Sequence, residues 1–176
     1  MGKRVFIGMP LGEVFRDRAC AFRVLHDSLP VRWISPENQH VTLVPPWYCD
    51  DAGRICEELH DLLDNERAFE VCFNEISVGP TARRPRLIWA SGGGHDGLGK
   101  LQEKLSCLAK PENDSIEKRF LLHVTLARIR KGQKVNLSPE TIDWKATLNS
   151  VCLYESILHP SGAEYRRLCE VELRGG

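Results

Sequence analysis

The sequence predicts a mixed domain, α+β or α/β, with three helices set among short strands. Three observations predict it. Apolar residues recur at helical spacing in three separate stretches. Short runs of β-forming residues lie between those stretches, and turn residues punctuate the joins. The composition, 42% hydrophobic and 27% charged, is that of a chain able to bury a core, and 176 residues suffice for one domain or for two small lobes sharing a core.

The elements follow in order. The run 4–8, Arg4-Val5-Phe6-Ile7-Gly8, reads as a first strand. Phe15, Ala19, Phe22, Leu25 and Leu29 then form one helical stripe, closed by Pro30. A strand over 40–44 stops at Pro45-Pro46. Asp50 and Asp51 offer a capping start for the stripe Ile55, Leu59 and Leu62. Strands over 69–78 and 86–90 are separated at Gly79-Pro80. Gly92-Gly93-Gly94 breaks the chain before the third stripe, Leu98, Leu101, Leu105 and Leu108, which ends before Pro111. The polar segment 110–118 reads as a mobile loop. Runs 121–128, 150–154 and 165–173 complete the strands, with turns at Gly132 and Ser161-Gly162.

Charge and cysteine usage bound the function. With 24 basic and 24 acidic residues the formal charge is zero, which excludes a tail coating nucleic acid by bulk charge but not a local basic pocket. No apolar run approaches the 18 residues of a membrane span, and the basic start carries too short an apolar part for a signal peptide, so a cytoplasmic protein is expected. The seven cysteines are odd in number, widely spaced and without a C-x-x-C pair. That pattern argues against a disulfide framework and a thiolate zinc site, and for buried free thiols. The glycosylation-type triplets at Asn113 and Asn136 are accidents on the same reading.

One feature stands above this background. His40-Val41-Thr42-Leu43 recurs as His123-Val124-Thr125-Leu126, 83 residues on. For six histidines in a chain of this composition, chance predicts about 0.07 occurrences of His-x-Thr-apolar. The repeat therefore suggests two related halves. On a strand, His and Thr of each copy point to one face and Val and Leu to the other. The apolar pair can anchor each strand while the polar pair lines a groove, and a pseudo-twofold axis would bring both pairs to one cleft.

Two histidines and two hydroxyls suit a phosphodiester. One imidazole can take a proton while the other gives one, since both forms coexist near neutral pH. Threonine hydroxyls can donate to the non-bridging oxygens. No metal is needed, and no Asp, Glu or Cys stands beside either His at ligand spacing. His26, His60, His95 and His159 have no such context and read as surface or helix-face residues.

The paired motif resembles that of the two-histidine (2H) phosphoesterase superfamily, and further segments resemble its RNA 2′,3′-cyclic phosphodiesterase, or 2′-5′ RNA ligase, branch. These are the opening strand from Arg4, the lead-in Val31-Arg32-Trp33-Ile34-Ser35-Pro36-Glu37-Asn38-Gln39 before His40, the run Arg84-Pro85-Arg86-Leu87-Ile88-Trp89-Ala90, the second motif with Phe120 before it and Arg128 behind it, and Leu153-Tyr154-Glu155-Ser156 with Gly162 and Tyr165. The resemblance implies a bilobal α+β fold, residues 1–176 forming one domain whose two pseudo-symmetric lobes of mostly antiparallel strands, with flanking helices, enclose a central cleft. It implies hydrolysis of a terminal 2′,3′-cyclic phosphate to a 2′-phosphomonoester, with His40 as proton donor, His123 as proton acceptor, Thr42 and Thr125 on the phosphoryl oxygens, and no cofactor. Implied partners are RNA termini or short cyclic nucleotides, acted on by a monomer. Two departures stand out: Val44-Pro45-Pro46-Trp47-Tyr48 where the family commonly continues Phe-Leu-Gly, and Leu122 where Pro is usual.

Other residues are weaker candidates. Arg128 suits a phosphate, but strict alternation puts it on the face opposite His123 unless the strand twists, bulges or ends. Trp47, Tyr48 and Phe120 flank the motifs and could stack a base. Trp33 and Trp89 read as core. Arg130, Lys131 and Lys134, like Arg83, Arg84 and Arg86, read as solvated edges able to attract RNA. Two further readings remain: 2′-5′ RNA ligation or cleavage in the same cleft, and a non-catalytic module that binds RNA ends.

Overall fold

A computed structural model describes residues 2–81, 83–109, 120–160 and 162–175. The expected loop over 110–118 lies outside the described residues, as does Ser161 of the expected turn. The elements run β1 (Lys3–Pro10), α1 (Glu13–Leu25), β2 (Val31–Trp33), β3 (His40–Cys49), α2 (Ala52–Leu63), β4 (Phe69–Gly79), β5 (Leu87–Gly92), α3 (Asp96–Ser106), β6 (His123–Ile129), β7 (Glu140–Leu148), β8 (Ser150–His159) and β9 (Gly162–Glu172). This is an α+β arrangement. The strands form one open antiparallel sheet in the order β7-β4-β5-β6-β3-β1-β8-β9, and the short β2 pairs with β6.

The order shows the two halves. The motif strands β3 and β6 are central neighbours, and outward from each run three more strands. The helices do not stay at home. Helix α1 connects β1 to β2 yet packs on β7, at the far edge of the other half, and α3 connects β5 to β6 yet packs on β3. Phe15 of α1 makes edge-on contacts with Phe73 of β4 and Trp144 of β7, at ring distances of 5.0 and 5.4 Å. Most buried residues of both halves join in one contiguous cluster that holds the buried faces of all three helices, while Phe6, Cys152 and Tyr154 form a second, smaller one.

Local chemistry sets the element ends. Asp51 caps α2 by accepting from the Arg54 N–H at 3.0 Å. His95 caps α3 in the same way through Nδ1, at 3.2 Å from Leu98 N. The first expected stripe is shorter than its pattern: Phe15, Ala19 and Phe22 are buried, whereas Leu25, the last helical residue, is 80% exposed. Two strands are additions to the sequence reading, β2 and β7.

The cysteine expectation is corrected. Cys56 and Cys169 form a disulfide, with 6.1 Å between Cα atoms. Helix α2 packs on β9 and so brings together residues 113 apart in sequence, a pairing no local spacing could announce. Of the other five, Cys49 and Cys152 are buried and Cys20, Cys72 and Cys107 are exposed, so burial holds for only part of the set.

Because Phe15 is fully buried between strands of the opposite half, Phe15→Ala should destabilise the protein by about 3–5 kcal/mol in denaturant unfolding, with both halves melting together.

Candidate active site

The two motif strands touch at Val41 and Val124, which are direct partners and fully buried. Their polar neighbours therefore point to the opposite face. Continuing that antiparallel register sets Thr42 beside His123 and His40 beside Thr125, with the histidines as diagonal neighbours. In regular pairing such diagonal Cβ atoms lie about 7–8 Å apart, a gap that one phosphate group held between two rings can bridge. All four side chains line one cavity of about 120 Å³, with Phe6, Ile34, Asn38, Pro46, Arg128 and Tyr165.

Both rings are held alike. His40 Nδ1 donates to the Asn38 carbonyl at 2.7 Å, and His123 Nδ1 to the Leu121 carbonyl at 2.9 Å, two residues back in each case. A carbonyl only accepts, so Nδ1 carries a hydrogen in both rings and Nε2 is the nitrogen that gives or takes a proton.

Their surroundings differ. His40 sits among Phe6, Tyr165 and Tyr154, at ring distances of 4.8, 5.3 and 6.0 Å. Gly8 makes room for it: a Cβ there would lie 3.0 Å from His40 Cδ2 and from the Val41 carbonyl. Burial pushes the His40 pKa down to about 4, opposed by the hydrogen bond to Asn38 and assisted by the charges of His123 and Arg128. His123 packs on Trp89, 5.0 Å away, whose indole N–H donates to Ser77 Oγ.

Arg128 reaches the cavity through a bulge. Ile88 and Trp89 of β5 pair with Ala127 and Thr125 of β6, leaving Leu126 as an extra residue. Leu126 and Ala127 are consequently both buried, the alternation changes phase, and Arg128 emerges on the face of His123 and Thr125. The first copy slips at the same point: Ile7 and Gly8 pair with Val44 and Thr42, and Leu43 and Val44 are both buried. There the position equivalent to Arg128 is Pro45, so only one half supplies a cation.

The flanking aromatics are corrected in place. Trp47 is the partner of Val5, shares its face and packs on the core. Tyr48 is 75% exposed and does not line the cavity. Phe120 packs on the core and lines a separate hollow beside His95 and Glu103. Phe6 and Tyr165 supply the aromatic walls instead; for Phe6 the available signal was its alternation with Val5 and Ile7. Of the two tryptophans expected in the core, Trp33 packs against it, while Trp89 backs His123. Arg83, Arg84, Arg86 and Lys134 are exposed and stand outside the cavity, and so do the other four histidines. Among the described residues no three His, Cys, Asp or Glu side chains gather as a metal site.

A family model described as the 2′-5′ RNA ligase superfamily matches residues 21–158. The chain is 28% identical to an RNA 2′,3′-cyclic phosphodiesterase of Thermotoga maritima, over 98% of this chain and 97% of that one, and 28% identical to one of Aeropyrum pernix, over 85% and 90%. Among solved structures it is similar in fold to TT0787 of Thermus thermophilus, with a TM-score of 0.81 and 24% identity over 98% of each chain. It is also similar to E. coli LigT complexed with 3′-AMP, with a TM-score of 0.74 and 22% identity over 98% of this chain and 99% of that one.

In an NMR titration of the free protein, His40 should change charge near pH 4, and Arg128→Gln should raise that midpoint because a repelling cation is gone. A His40 midpoint at its ordinary value would contradict the burial argument.

Proposed function

The chain belongs to the 2′-5′ RNA ligase superfamily, and on that premise we propose that it is an RNA 2′,3′-cyclic phosphodiesterase, opening terminal cyclic phosphates to 2′-phosphomonoesters. The observation that carries the reading is the pair of identically held imidazoles with free Nε2 atoms, diagonal across one ladder position in one cavity.

The chemistry follows from that arrangement. The cyclic phosphate sits between the two rings. His123 Nε2 takes a proton from water as its oxygen bonds to phosphorus, and the bond from phosphorus to the 3′ oxygen breaks as His40 Nε2 gives that oxygen a proton. Donor and acceptor on opposite sides of phosphorus match an in-line displacement. Thr42 and Thr125 hydroxyls donate to the non-bridging oxygens, and Arg128 faces the same charge with its guanidinium fork. His40 is neutral in the free cavity at neutral pH. As donor it must gain its proton with the anionic substrate, whose charge favours the imidazolium. Phe6 and Tyr165 offer apolar faces to the terminal nucleoside.

The reading takes the whole chain as one bilobal unit, for which the contiguous core is the support. It includes a monomer, and a cytoplasmic location where RNA ends are met. No helix among the described residues is long and apolar enough to cross a membrane.

His40→Ala and His123→Ala should each lower kcat on a 2′,3′-cyclic oligonucleotide by about 10²–10⁴, with binding largely kept, and product analysis should show a 2′-phosphate. Turnover by both variants at the unaltered rate would overturn the assignment, and so would a 3′-phosphate product. The pH profile is a separate check. The limb that His40 sets should lie near pH 4 in kcat/KM, which reports the free protein, and higher in kcat, since the bound anion raises the His40 pKa.

A further inference from the structure

The catalytic cavity continues beyond Arg128. A second hollow shares Ile34, Asn38, Arg128 and Tyr165 with it and adds Arg32. A third shares Arg32 and Arg128 and adds Arg130 and Lys131. The three thus form one path leading away from the histidines along β2 and the end of β6. No Asp or Glu lines any of them, in a chain holding 24 acidic residues.

Arg32 and Arg128 are direct partners across the β2–β6 ladder, which brings both arginines to one point of the path. Arg128, Arg130 and Lys131 form no ion pair with a carboxylate among the described residues. The inner chamber, about 120 Å³, is the smallest of the three. The outer hollows add about 190 and 430 Å³.

We propose that this basic path is the seat of the RNA strand that runs in the 5′ direction from the cyclic end, so that the substrate is an oligonucleotide rather than a free cyclic nucleotide. The proposal rests on the hydrolase reading for the identity of the terminal group. The terminal phosphorus lies between the imidazoles, the terminal nucleoside against Phe6 and Tyr165, and the preceding phosphodiesters beside Arg32, Arg130 and Lys131. Phosphate contacts of this kind position a strand without reading its sequence.

The test compares cytidine 2′,3′-cyclic phosphate with a cytidine tetranucleotide ending in the same group, in the full chain and in the surface double variant Arg130→Gln/Lys131→Gln. Binding of 3′-CMP and of a 3′-phosphorylated tetramer is measured alongside over a range of salt. The unaltered protein should favour the tetramer by about tenfold or more in both KM and Kd, and the double variant should lose that preference while its kcat/KM on the mononucleotide stays within about twofold. The slope of log Kd against log salt for the tetramer should flatten by about 1.4, the value for two lost contacts on a single strand. Equal handling of mononucleotide and tetramer by the unaltered protein would overturn the groove while leaving the hydrolase reading intact, as would a variant that weakens both alike. If neither cyclic substrate is turned over but the tetramer still binds more tightly through Arg130 and Lys131, the groove stands and the hydrolase reading fails.

Discussion

Two buried valines facing each other across the centre of a sheet hold this molecule's chemistry in place. Val41 and Val124 are the one paired position between β3 and β6, and each carries a His before it and a Thr after it. A strand side chain cannot be sent inward without its neighbours being sent outward. Burying the valines therefore exposes four polar groups on the other face, at a spacing set by the ladder. The backbone carbonyls of Asn38 and Leu121 then fix which nitrogen each ring presents.

Approximate symmetry ends where the chemistry needs a difference. Both motif strands bulge at the residue after threonine, and both change phase there. What emerges is Arg128 in one half, with Pro45 at the matching position of the other. One imidazole lies in an aromatic bed that suppresses its charge, and the other leans on a single indole. Equal motifs thus sit in unequal settings, one of which keeps its imidazole neutral in the free protein.

Much of this was legible in the residues. The three apolar stripes became helices, and every expected strand exists, because period and turn residues report local backbone state directly. The repeated tetrapeptide located the cavity. Residues whose position depends on other elements were harder to read. Strand β7 carries Ile142, Trp144, Ala146 and Leu148 in alternation, but only half-buried until the last, so its signal was diluted. Trp47 and Tyr48 stand close to the first motif in sequence, yet neither lines the cavity. Phe6 and Tyr165 arrive there from strands at opposite ends of the chain. The Cys56–Cys169 bridge depends on how α2 lies on β9, which spacing does not encode.

The crossing of the helices has a consequence for the dissection of the fold. Helix α1 leaves the first half to cover β7, and α3 leaves the second to cover β3. A fragment cut between the two motifs would carry a helix with no surface of its own to cover and a sheet missing its cover. Two such fragments could complete each other only by joining along the sheet as well, since β8 of the later one pairs with β1 of the earlier. The single chain turns that assembly from a meeting of two molecules, dependent on concentration, into an internal event that is not.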